Sequence, residues 1–208
     1  MRLGFQDWTN VALARLNPRD PMGRFYRFER QKEGFMMPEQ AKVLRDLLNT
    51  HIEVKKILEI GFNGGHSAYN FLAARKNTHV TSVEIDYSSK VAAAKKRIDA
   101  LFPGRHTLMY GDSKEVLPGL AAVSAQFDLI FVDGDHNLAG VTADLNNGRF
   151  LAHEDTILVM DDYNASMPWG VGPVKAWDDA RESDVIIQTQ EHNTNDRRSF
   201  VIGHYAIS

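Results

Sequence analysis

Cysteine is absent from this 208-residue chain, which removes disulfides, cysteine nucleophiles and thiolate metal sites at once. Long apolar runs are missing too. No stretch approaches the roughly 20 apolar residues that span a bilayer, and Met1 to Asp7 lacks the apolar centre of a secretory signal. The formal net charge is −3 and the basic residues form no long patch, so the electrostatic footprint of a nucleic-acid binder is lacking. No repeat or low-complexity tract interrupts the sequence. What remains is the composition of a cytoplasmic protein, 43% hydrophobic, with enough chain for one sizeable core. The partners expected of it are a small molecule and, at most, a second copy in a homodimer, with neither nucleic acid nor membrane.

Two regions differ in style. Residues 1–33 form an N-terminal arm, with a short helix expected from Trp8 to Leu16, breaks at Asn17-Pro18 and Asp20-Pro21, and an aromatic and basic cluster, Arg24-Phe25-Tyr26-Arg27-Phe28. That cluster serves either as a lid over a pocket or as an anchor packed on the core. Residues 34–208 read as one domain. After Pro38 a helix presents Ala41, Leu44, Leu47 and Leu48 on one face. Strands are then expected at Lys56–Ile60, Val80–Glu84, His106–Tyr110, Leu129–Val132 and Thr156–Met160, alternating with helices at Ser67–Arg75, Ser88–Leu101, Ser113–Ala122 and Leu138–Leu151. Such alternation builds an α/β fold, a doubly wound and mostly parallel sheet with helices on both faces. Beyond Met160 come a Gly- and Pro-rich loop (Pro168 to Pro173), a short helix near Val174–Arg181, and runs at Val185–Gln190 and Ser199–Ala206. These two runs flank the polar turn His192 to Asp196 and read as a closing antiparallel hairpin, making seven strands.

The first strand runs straight into Gly61-Phe62-Asn63-Gly64-Gly65 and then a helix. Glycines permit positive φ and close approach of a ligand, while the helix start offers free N–H groups. The next strand ends at Glu84, and an acid about 20 residues past such a loop stands where a ribose lies in a doubly wound sheet. A surface acid at a strand end is the alternative. A nicotinamide-dependent oxidoreductase fits less well, because Asn63 replaces the middle glycine of its fingerprint and no Tyr-x-x-x-Lys pair follows.

Leu58-Glu59-Ile60-Gly61 to Gly65, Val83-Glu84-Ile85-Asp86, Gly111-Asp112-Ser113 and Phe127 to His136 occur in order and together resemble class I S-adenosylmethionine-dependent methyltransferases. Because Val159-Met160-Asp161-Asp162 follows at the end of the fifth strand, the chain is most similar to the small cation-dependent O-methyltransferases of the catechol and caffeoyl-CoA type. The resemblance covers Gly34 to the C-terminus. It implies a Rossmann-like seven-stranded sheet whose last strand is antiparallel. It also implies a cofactor site in which Glu59, Gly61, Asn63, Gly65 and Ser67 surround the methionine part, Glu84 and Ile85 the ribose side, and Asp112 and Ser113 the adenine edge. Met37, His66, Asp133 and Asp135 complete that expected set, with Met36 and Gln40 beside Met37 where relatives line the methyl-donor pocket. Local alternatives stand beside it: Asp112 as a helix cap, His66 in a capping or surface role, and Met36, Met37 and Gln40 as helix and core packing.

Asp133, Asp161 and Asp162 fall just past the C-terminal ends of two expected strands, the edge that carries ligands in such sheets. Converging carboxylates suit a hard divalent cation, magnesium above all, unless these acids are only caps and surface charges. By resemblance they are the metal ligands, although catechol-type relatives usually carry Asn at the position of Asp162. His136 stands three residues after Asp133, where those relatives often have a lysine base. An imidazole titrates near neutrality and suits proton removal from a hydroxyl, or a simple hydrogen-bonding role on the loop. His136 and Asp133 are the expected catalytic pair. The other histidines show no His-x-x-x-His spacing, so a histidine-rich zinc site is not indicated. The resulting expectation is transfer of a methyl group to a hydroxyl of a phenolic or sugar-like molecule, with Tyr163, Met167 and Trp169 available as an apolar slot. A cofactor-binding protein without catalysis stands as a further alternative on the same fold.

Overall fold

A computed structural model describes residues 36–193 and 198–207. The arm read over residues 1–33 lies outside the described residues, as does the Thr194 to Asp196 part of the hairpin turn. The first described helix, α1 (Pro38–Thr50), starts where Pro38 needs no N–H partner, and the Gln40 side chain accepts the Met37 N–H at 3.0 Å. Its stripe of Ala41, Leu44, Leu47 and Leu48 is buried as the spacing required.

The remaining elements follow in alternation: β1 (Lys56–Ile60), α2 (His66–Ala74), β2 (His79–Glu84), α3 (Ser89–Leu101), β3 (His106–Tyr110), α4 (Ser113–Ala122), β4 (Phe127–Val132), α5 (Leu138–Arg149), β5 (Ala152–Met160), α6 (Val171–Glu182), β6 (Ile186–Asn193) and β7 (Ser199–Tyr205). Most boundaries fall within two residues of the sequence expectation, while β6 runs to Asn193, three residues beyond its expected end and into the expected turn, where His192 and Asn193 pair with Phe200 and Ser199. Helix α6 begins at Val171, three residues early, because Pro173 falls in the first turn, where an N–H has no intrahelical partner to lose. Helix α5 stops at Arg149, and β5 extends back to Ala152, where Phe127 of β4 pairs with it across an irregular register. Pro118 inside α4 does not end that helix.

All seven strands form one sheet in the order β3-β2-β1-β4-β5-β7-β6. Strands β1 to β5 run parallel, and β7 lies antiparallel between β5 and β6. Period-two alternation sends neighbouring side chains to opposite layers. Ile57, Val80, Leu129, Phe131 and Phe200 join Leu44, Phe71 and Ile98 from α1, α2 and α3. Leu58, Val83, Ile130, Leu158 and Val201 join Leu117, Leu145 and Trp177 from α4, α5 and α6. The chain order reverses between β1 and β4, and the crevice outside their C-terminal ends is where such sheets bind ligands.

Candidate active site

That crevice is built from the glycine loop outward. Gly61 takes φ +93°, and a Cβ there would stand 2.1 Å from the carbonyl oxygen of Asp133, so the ends of β1 and β4 meet at a point only glycine can occupy. Gly65 takes φ +71° as the residue before α2, with the ring of Phe62 against its missing side chain. Asn63 is itself left-handed at φ 44°, and its side chain accepts from Lys90. Glu84 closes the loop. One carboxylate oxygen accepts the N–H groups of Phe62 (3.0 Å) and Asn63 (2.6 Å), and the other accepts that of Asp86 (2.7 Å). The acid expected at a ribose is thus also the anchor of the loop above it.

Glu59 lies deeper than expected for a residue beside the cofactor. It is fully buried, and its two oxygens accept the hydroxyls of Ser67 and Ser82, so it supports the loop from beneath. Burial pushes its carboxyl up to about 7 against the opposing pull of the two hydroxyls. Ser82 has one hydroxyl proton and gives it to Glu59, so its 2.9 Å contact with His106 Nε2 is donated by the imidazole. The ring of His106 stacks on Phe62 with centroids 4.9 Å apart, and its Nδ1 is buried with no partner. Burial therefore holds His106 neutral, its pKa down at about 3. This histidine, on the core face of β3, carried no motif in the sequence.

At the ends of β4 and β5, Asp133, His136 and Asp162 bring one ligand atom each to within 4.8 Å of one another. His136 Nε2 lies 2.9 Å from a carboxylate oxygen of Asp162, and Arg198, preceding β7, reaches the other oxygen at 3.3 Å. The hydrogen bond to Asp162 raises the pKa of His136, although the ring keeps nearly half of its surface exposed. Asp133 is raised well above the ordinary carboxylate range by desolvation first and by the charges of Asp161 and Asp162 next. Asp161 lies beside this group and is held from the side of α1. Its oxygens receive both the Gln40 amide (3.1 and 3.2 Å) and the N–H of Asp162 (2.7 Å), and burial pushes its pKa up to about 7. Asp133 and Asp162, two of the three acids expected to converge, gather with His136 within that distance, and Asp161 stands next to them with its oxygens engaged by Gln40 and the Asp162 N–H.

Residues 58–163 match a sequence family described as a methyltransferase domain. The chain belongs to that family. It is therefore a class I S-adenosylmethionine-dependent methyltransferase, and the oxidoreductase alternative falls away. No protein among the curated sequences matches it. Its fold is shared with cofactor-bound Rv0187 from MTB (TM-score 0.75, 20% identity, all of both chains). It is shared too with an O-methyltransferase from Bacillus cereus in complex with SAH (TM-score 0.74, 18% identity, 95% of this chain and 99% of that one). A third such fold is the O-methyltransferase TomG from Streptomyces achromogenes, involved in tomaymycin synthesis and in complex with SAM (TM-score 0.72, 17% identity, 98% and 99%).

In this methyltransferase the remaining expected site residues line the same edge in different ways. Met37 and His66 are buried at the starts of α1 and α2, and Ile85 stands exposed beside Glu84. Asp112 caps α4 through the Lys114 N–H at 2.9 Å, while the Ser113 hydroxyl donates to Asp144 on α5 at 2.5 Å. Asp135 turns the chain into α5 by accepting from Asn137. Trp169 lies under the Arg198 guanidinium, 5.8 Å from ring centroid to carbon, so the cation that contacts Asp162 also contacts this ring. Tyr163 instead donates its hydroxyl to Asp178. Gly172 of α6 passes so close to the His136 carbonyl that a Cβ would lie 2.2 Å from it, so the glycine-rich loop fixes the backbone that carries the histidine. Arg198 and His106 are contributors that sequence reasoning did not place, and for Gln40 it named the residue but not its partner Asp161. Their partners are distant along the chain, and only the strand order brings them together.

Proposed function

We propose that this methyltransferase transfers the methyl group of S-adenosylmethionine to a hydroxyl of a small molecule, with His136 as the base. The observation that carries the reading is the convergence of His136, Asp162 and Asp133 on the sheet edge that also holds the glycine loop. An alcohol or phenol must lose its proton as its oxygen attacks the methyl carbon. His136 is suited to accept it, because Asp162 fixes one ring nitrogen and leaves the other as the basic atom. Asp162 orients the ring and stabilises the imidazolium that forms. The sulfonium loses its charge as the methyl carbon changes bonds, leaving S-adenosylhomocysteine and the methyl ether. The acceptor is a phenolic or sugar-like hydroxyl compound, and Trp169, whose ring lies under Arg198, is an aromatic group beside this edge.

Within the same reading, Glu84 takes a ribose hydroxyl on the one acceptor site that its three loop contacts leave open, and the N-terminal end of α2 faces the amino-acid part. The donor set also suits a divalent cation, with Asp133 and Asp162 as its carboxylate ligands and His136 within reach. Such an ion, when bound, lowers the pKa of a coordinated hydroxyl and holds its oxygen in place. Mass-spectrometric detection of methylated product over catechols, phenylpropanoids and hydroxylated sugars, with magnesium and with EDTA, tests both parts. Product from any of these acceptors that disappears with EDTA supports the full reading. Turnover that survives exhaustive chelation removes the metal and leaves the His136–Asp162 pair, while S-adenosylhomocysteine binding with no product from any hydroxylated acceptor removes O-methyl transfer.

A further inference from the structure

Gln40 is 1% exposed, sits in the first turn of α1, and makes a contact that links residues 121 positions apart. The direction of its amide is chemically fixed. The Met37 N–H can only donate, so the Gln40 carbonyl oxygen must face it at 3.0 Å, and the NH2 end must then face Asp161, 3.1 and 3.2 Å from its two oxygens. Asp161 in turn accepts the N–H of Asp162 at 2.7 Å. That N–H belongs to a residue at φ 58°, a left-handed conformation that a non-glycine residue holds only when its surroundings enforce it. The Asp162 side chain then reaches His136 at 2.9 Å and Arg198 at 3.3 Å. A continuous line of hydrogen bonds therefore runs from the start of α1 on one layer to the histidine at the sheet edge.

We infer that Gln40 is a positioning residue for the reaction: its amide holds Asp161 so that Asp161 keeps the Asp162 backbone left-handed and the Asp162 carboxylate aimed at His136. The inference rests on the methyl-transfer role of His136 proposed above. It assigns Gln40 a task separate from capping α1, although one side chain performs both. Removal of the donor leaves the buried Asp161 carboxylate with the Asp162 N–H as its remaining described partner, which frees Asp161 to turn and releases the constraint on Asp162.

Two variants separate the tasks. Gln40→Glu keeps the length of the side chain and an acceptor for the Met37 N–H, since Glu serves as well as Gln in a capping box, but it presents an oxygen to Asp161 where an amide donor stood. Gln40→Leu removes both bonds. Both variants are expected to lose turnover of the acceptor found by the screen above by about tenfold or more, while the calorimetric Kd for S-adenosylhomocysteine stays within about threefold. Independently of activity, hydrogen exchange at the Asp162 amide is expected to speed up by about tenfold or more in both. Wild-type turnover in Gln40→Glu would mean that the residue only caps the helix, and the inference fails. Unchanged exchange at Asp162 overturns it as well, as does a loss of S-adenosylhomocysteine affinity as large as the loss of turnover. A wild-type protein that binds S-adenosylhomocysteine yet methylates nothing defeats the underlying function instead, and the exchange measurement still decides whether Gln40 holds Asp162.

Discussion

Replacing His106 with Phe should make the protein less stable at pH 7.5 and more stable at pH 4.5. Phe keeps a ring against Phe62 but removes an imidazole whose Nε2 donates to Ser82 and whose Nδ1 is buried without a partner. At pH 7.5 the imidazole is neutral folded or unfolded, so the variant loses little beyond one hydrogen bond, about 1 kcal/mol. At pH 4.5 the unfolded histidine, with its ordinary value of 6.5, is protonated, whereas the folded one at about 3 is not. The unfolded state then binds the extra proton, and two pH units below 6.5 correspond to a penalty of about 3 kcal/mol that the wild type carries and the variant escapes. The sign is that of a base depressed by folding: its cost is absent above pH 6.5 and grows as the pH falls toward 3. Glu59 works in the opposite direction. Its folded value of about 7 makes it cost stability above the ordinary carboxyl range and relieves that cost as the pH falls. It is present in both proteins, so it cancels in their difference. Urea unfolding followed by far-UV circular dichroism at the two pH values gives the measurement, and the variant should move from about 1 kcal/mol below the wild type to about 2 kcal/mol above it. A difference between the two proteins that shifts by less than about 1 kcal/mol across that interval refutes the claim that folding keeps His106 neutral.

Other perturbations report on the crevice. Gly61→Ala places a methyl 2.1 Å from the Asp133 carbonyl at φ +93°, and thermal unfolding should show a loss of about 3 kcal/mol or more together with loss of S-adenosylhomocysteine binding. Glu84→Gln puts an NH2 where a carboxylate oxygen received backbone N–H groups. Calorimetry should record S-adenosylhomocysteine affinity lower by about tenfold or more, and an affinity equal to wild type would separate Glu84 from the cofactor. His136→Gln retains a hydrogen-bonding group near Asp162 but no base at neutral pH, so turnover should drop by about a hundredfold with S-adenosylhomocysteine binding preserved.

Local pattern carried most of the sheet into view. Continuous apolar runs such as Leu129-Ile130-Phe131-Val132 can bury both faces only between two layers of helices, and the Gly61 turn and the Glu84 strand end lie close to each other in sequence. The loop around Pro168 to Pro173 was harder to read, because Gly and Pro suggest an irregular chain even where Pro173 can occupy a first helical turn. The site was legible as a set of acids but not as a set of partners. Asp161 and Asp162 are adjacent in sequence and face different neighbours, since the left-handed backbone of Asp162 turns its carboxylate toward His136 while Gln40 keeps Asp161. Glu59 shows the same limit. Its place beside the loop follows from the motif, but whether it faces the crevice or the interior depends on Ser67 and Ser82.

The position of β7 bears on how the protein is made. It pairs with β5 on one side and β6 on the other, although it follows both in the chain. While a ribosome is still extending the chain, β5 has a bare edge of unpaired backbone groups next to the acids at its end, and the Arg198 guanidinium that will face Asp162 has not yet been delivered. If β1 to β5 pair before β7 is made, a hydrophobic strand and an uncompensated acid cluster are exposed together, and a chaperone would matter most to the yield in that interval. Once β7 is inserted, the open edge passes to β6, whose Gln188, Gln190, Glu191 and His192 make a polar border poorly suited to recruiting another strand.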